Sequence, residues 1–122
     1  MIILTNTLAI LIAVIHFYFM YLEMVLWTKP KGLKIFRQSL EQAQASKVLA
    51  ANQGLYNGFL AVGLLWSVLH PNPVFAVQLK YFFLGCVIIA GVYGARTVSG
   101  RIMYIQAMPA VFTAIMVFIT SI

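Results

Sequence analysis

Acidic side chains are almost missing from this chain of 122 residues: there is no Asp, and Glu23 and Glu41 are its two carboxylates. Charged residues of all kinds make up 8% of the chain, where a soluble domain carries about 25%. A water-facing globular domain is thereby excluded, because so few charges cannot coat its surface. One cysteine, Cys86, excludes an intramolecular disulfide and a cysteine-built metal site within one chain. The two carboxylates lie on different elements, and no Cys/His cluster, phosphate-cradling glycine loop or serine nucleophile motif is present. Hydrolytic and metal-dependent catalysis are disfavoured on those grounds. What is abundant is hydrocarbon, 63% of the residues, together with a net charge of +6. In a soluble protein that charge would suggest nucleic acid, but in a membrane it encodes topology, and no nucleic-acid partner is expected.

The apolar runs predict an all-α integral membrane four-helix bundle, one domain over residues 1–122, with spans at 2–27, 47–69, 74–95 and 102–122. The first begins at Met1 without a basic leader or a small-residue cleavage pattern, so it reads as a mature span ending at Trp27, where Lys29-Pro30-Lys31-Gly32 stops it. Ser39 and Gln42 have the spacing of a capping box, and no breaker follows before Leu69. The second helix is therefore expected to run on from about residue 39, for about 45 Å at 1.5 Å per residue, and to project into the cytoplasm. His70-Pro71-Asn72-Pro73 marks a turn, Lys80 is close enough to that interface to snorkel, and Pro109 is expected to kink the fourth span. Lys29, Lys31, Lys34, Arg37, Lys47, Arg96 and Arg101 all fall on one side and Lys80 on the other, which puts both termini outside.

With that orientation every span brings polar residues to the inner half. Glu23 ends span one, Asn52, Gln53, Tyr56 and Asn57 begin span two, Tyr93 and Arg96 end span three, and Arg101, Tyr104 and Gln106 begin span four. The outer half is nearly pure hydrocarbon. His16 and Glu23 lie two turns apart on one face with Met20 and Trp27. Amides in hydrocarbon are costly, so these must face the bundle interior, a neighbouring subunit or a water-filled pocket. Glu23 is expected to find an interior partner, first Arg96 or Arg101, then Asn52, Gln53 or Tyr56 as donors; pairing with Lys29 or Lys31 at the headgroups is the competing reading. Small residues at Ala50, Gly54 and Gly58, at Ala90, Gly91, Gly94 and Ala95, and at Ala107, Ala110 and Ala114 predict close helix packing.

Two functions fit. In the first, His16, Glu23, Asn52, Gln53, Tyr56, Asn57, Tyr93, Arg96, Arg101 and Gln106 line a pocket for an amphiphilic or anionic small molecule, and Arg96 and Arg101 hold its head while the apolar half takes its tail. In the second, a small transporter or channel subunit uses His16 and Glu23 as a proton or cation relay. The residues name no reaction. Structural readings stand beside both: amides as interhelical glue, tyrosines as interfacial anchors. So much polar and small-residue surface on a short chain also predicts a homo-oligomer.

The segments HFYFMYLEMVLW (16–27), NQGLYNGF (52–59) and AGVYGA (90–95), with Gln106, Pro109 and Ala110, resemble a small bacterial membrane family, domain of unknown function 1304. That resemblance spans nearly the whole chain and implies four spans in the bacterial cytoplasmic membrane, with no activity attached. A weaker, architectural likeness is to the membrane-associated eicosanoid and glutathione metabolism proteins, and rests on Lys47, Asn52, Gln53, Arg96, Arg101 and Tyr104. Where those enzymes place a glutamate, this chain has Leu55, Tyr56 or Asn57. That likeness implies a trimer and glutathione as the small-molecule partner; the residues by themselves name no cofactor.

Overall fold

The computed structural model describes residues 1–121, which form helices joined by short turns, with no strand among them. In chain order the helices are α1 (Ile2–Met24), α2 (Pro30–Phe36), α3 (Leu40–Ala45), α4 (Lys47–Leu69), α5 (Pro73–Thr97) and α6 (Met108–Ser121), the last entered through a π-helical segment, Met103–Ala107. Four stretches are long and apolar enough to cross a membrane: α1, α4, α5 and Met103–Ser121. The fold class is the all-α membrane class read from the sequence.

The chain forms two compact units, one of Met1–Ala13 with the chain from Val62 onward, the other of Val14–Ala61. In the Val14–Ala61 unit, α1 stops at Met24, three residues short of the expected Trp27. The Val25 and Leu26 amides both donate to the Tyr21 carbonyl, which turns the chain off the helix axis. Residues 30–36, expected as a stop and a polar stretch, instead form α2, with Pro30 opening it, where a missing amide costs nothing. Gly32 is required there, since a Cβ on it would overlap the Leu26 carbonyl. Arg37 closes α2 in the left-handed region, φ 53°.

The Ser39 capping box is present in full: the Gln42 amide donates to Ser39 Oγ at 3.1 Å, and the Ser39 amide to Gln42 Oε1 at 3.0 Å. The continuous helix expected from there to Leu69 is broken at Ser46. Its hydroxyl donates to the Gln42 carbonyl at 3.0 Å and accepts the Trp27 indole N–H at 3.1 Å, so a ring 19 residues back fixes the break. Trp27 also packs on Phe36, with ring centroids 4.7 Å apart.

In the other unit the buried face of α5 is Ala76, Lys80, Leu84, Val87 and Gly91, spaced three or four apart as one helical stripe requires. Asn72 caps the helix, its Oδ1 accepting the Val74 and Phe75 amides at 2.9 and 3.2 Å. Pro109 acts through the turn before it. With no proline N–H to close an α-turn, the segment before Pro109 is π-helical, and the Met108 amide reaches back five residues to the Met103 carbonyl.

Candidate functional site

The centre of the Val14–Ala61 unit is a polar pair. Asn57 Nδ2 donates to Glu23 Oε1 at 2.6 Å, with Glu23 5% and Asn57 9% exposed. Glycines permit it. A Cβ on Gly54 would stand 2.8 Å from Met24 Cγ and 3.1 Å from both Glu23 Cβ and the Met20 carbonyl, and one on Gly58 would stand 2.7 Å from Met20 Sδ. Of the expected small-residue seam, Gly54 and Gly58 form the face on which α4 meets the last turns of α1, and Asn57 shares it. His16, two turns before Glu23 on α1, is 1% exposed and meets Phe19 edge-on at 5.4 Å.

Glu23 does have an interior amide partner on the second span, but it is Asn57 and not Asn52, Gln53 or Tyr56. At about 100° per residue Asn52 and Tyr56 fall within about 20° of directly opposite Gly54. All three are exposed, and Tyr56 packs on Phe59 of its own helix with centroids 5.9 Å apart. The i,i+4 spacing of Gln53 and Asn57 suggested one shared face, but the contact stripe includes Asn57 and leaves Gln53 outside.

In the other unit Tyr93, Arg96, Arg101 and Tyr104 are exposed around the turn from α5 to the π segment, and Gln106 within that segment is half-buried. Arg96 lies in the last turn of α5, where a cation complements the helix dipole. Among the described residues no three His, Cys, Asp or Glu side chains gather as metal ligands.

Lys80 departs furthest from its expected place. It does not snorkel: it sits on the buried stripe of α5, 3% exposed, and its Nζ donates to the Ser67 carbonyl at 3.4 Å. A cleft of about 430 Å³ runs past it, lined also by Thr5, Val74, Val77, Val117 and Ser121. The spacing of Ala76, Lys80 and Leu84 carried this signal, because it puts the lysine between two apolar residues on one stripe.

Over 117 residues, 94% of this chain and 97% of the relative, the chain is 30% identical to the "Uncharacterized protein YpaA" of Lactococcus lactis subsp. lactis (strain IL1403). No solved structure matches it. The likeness to the eicosanoid and glutathione metabolism proteins has no support in these comparisons. A family profile described as "Protein of unknown function (DUF1304)" covers residues 10–118, and the chain belongs to that family.

Proposed function

We propose that this is a homo-oligomeric protein of the bacterial cytoplasmic membrane, one domain with both termini outside, whose assembly creates inner-half sites for an amphiphilic or anionic small molecule. The observation that carries this reading is the exposure of Asn52 and Gln53 on a membrane helix. They lie about 8–9 Å along α4 from Lys47 at 1.5 Å per residue. A 23-residue α4 is about 35 Å long, and centred on a hydrocarbon core of about 30 Å it would carry both amides inside the hydrocarbon edge. Amides pointing away from their own chain at that depth need partners, and another copy offers both donors and acceptors.

Covering that face also builds a place for a ligand. In the proposed topology, where each span crosses once, Asn52, Gln53 and Tyr56 belong to the inner membrane half, as do Arg96 and Arg101. The arginines supply forked cations for an oxyanion head, the amides orient it, and neighbouring apolar side chains take a hydrocarbon tail. Glu23 and Asn57 brace α4 against α1 behind this face.

Two measurements test its halves. With Cys86 replaced by Ser, a Gln53→Cys chain oxidised in native membranes should crosslink to a second copy; absence of any crosslink at 53, 56 and 49 opposes the assembly. A photoreactive dodecyl phosphate should label peptides around the α5–α6 turn, and Arg96→Gln with Arg101→Gln should weaken that labelling by about tenfold, the equivalent of one lost charge-assisted contact. Labelling indifferent to both arginines opposes the ligand site.

A further inference from the structure

Lys80 lies in a unit with no acidic side chain: both glutamates of the sequence belong to Val14–Ala61. Its ammonium has three donors, and its one hydrogen bond among the described residues is the 3.4 Å contact with the Ser67 carbonyl, longer than a well-formed N–H···O bond. A cation 97% withdrawn from solvent, on the core face of a membrane helix, is stabilised by an anion or by further acceptors, and among the described residues it has one carbonyl. The surrounding hydroxyls supply no anion. Thr5 Oγ1 donates to the Ile2 carbonyl at 3.1 Å, and Thr120 Oγ1 and Ser121 Oγ donate to the Val117 carbonyl at 3.1 and 2.6 Å. With those protons committed to their own helices, Lys80 is the one cationic side chain among the described residues lining the cleft, beside the Gln78 amide and the Tyr81 hydroxyl.

The rest of the cleft is mixed, with Thr5, Gln78, Tyr81, Thr120 and Ser121 beside an apolar wall. Ile2, Val74, Val77 and Val117 give it that wall, and its volume of about 430 Å³ is that of a small-molecule site, where about 300–1,000 Å³ is usual. One buried cation at the edge of such a wall is complementary to one anion on a hydrocarbon chain. We propose that this cleft binds the oxyanion head of an amphiphile, phosphate or carboxylate, on Lys80 Nζ, with its chain along Val74, Val77 and Val117. The site is formed within one chain at the opposite ends of the helices from Arg96 and Arg101, and it does not depend on assembly.

The test uses the whole chain in phosphatidylcholine nanodiscs with photoreactive dodecyl phosphate, a photoreactive dodecanol as the uncharged control, and peptide mapping of the label. Label is expected on the peptide holding Val74 and Val77 or on that holding Val117, about tenfold stronger for the phosphate than for the alcohol. Lys80→Met should remove that preference and Lys80→Arg should retain it. Equal labelling by phosphate and alcohol in the unmodified chain overturns the proposal without any variant, so a misfolded Lys80→Met does not leave it undecided. Label confined to the α5–α6 turn also overturns it while leaving the inner-half reading intact. Phosphatidylglycerol in the nanodiscs distinguishes the sources. Competition with the probe identifies a lipid headgroup as the occupant, undiminished labelling a free amphiphile, and each requires the Lys80 site.

Discussion

Asn57 and Glu23 form the buried hydrogen bond on which the Val14–Ala61 unit centres. Deleting one partner strands the other in a medium that cannot solvate it, whereas deleting both removes the need. Asn57→Leu should therefore destabilise the chain by about 1–3 kcal/mol, and Glu23→Leu added to it should recover much of that loss. Unfolding in mixed micelles, followed for both single variants and the double, reads the coupling directly; additive losses would show that the pair contributes nothing. The sequence marked both residues as polar members of one membrane half and predicted an interior partner for Glu23, first Arg96 or Arg101 and then Asn52, Gln53 or Tyr56, whereas the hydrogen bond is made by Asn57. Asn57 was left out because the four polar groups of α4 form one arc of about 140° and the sequence does not say which edge of that arc faces α1. The contact stripe of Gly54 and Gly58 decides which one points inward.

The helices show where local pattern suffices and where it does not. The Ser39 capping box was legible because it is closed by residues three apart, and Asn72, read as part of a turn, proves also to cap α5. The break at Ser46 was not legible, since the indole that holds it comes from Trp27, and Lys47-Val48-Leu49-Ala50 carries no local signal against continuing the helix. Helix α2 was hidden for a similar reason: proline and glycine together read as a stop, but proline at a first helical position and glycine under the Leu26 carbonyl both belong to a helix. The two kinds of close approach differ in consequence. Gly32→Ala pushes a methyl into backbone that cannot yield, which should cost about 1–3 kcal/mol, the range of overpacking. Gly58→Ala meets only the flexible end of Met20 and should cost less than about 1 kcal/mol. Thermal unfolding of the two variants in the same micelle should give that order, and the reverse order would contradict this packing.

For the whole molecule, four membrane helices were legible from composition and run length alone, because hydrocarbon thickness imposes a length that few soluble helices combine with so little charge. Orientation rests on seven basic residues against Lys80, and the burial of Lys80 removes it from the interface count without changing the sign. An Asn72→Cys chain in the Cys86→Ser background should react with an impermeant maleimide from outside, and a Lys34→Cys chain only after the membrane is opened. The opposite pattern would exchange the two membrane faces. The role of Lys80 was not legible, since a snorkelling lysine and a buried one have the same sequence until the neighbours of α5 are known.

Association of copies through the amide face of α4 is tested most directly by the protein mass of the particle in native-lipid nanodiscs, where one chain is 13.6 kDa. The unmodified protein should give an integral multiple of that mass, and Asn52→Leu with Gln53→Leu should shift it toward the single chain. A single-chain mass for the unmodified protein would contradict the assembly and leave Asn52 and Gln53 facing lipid.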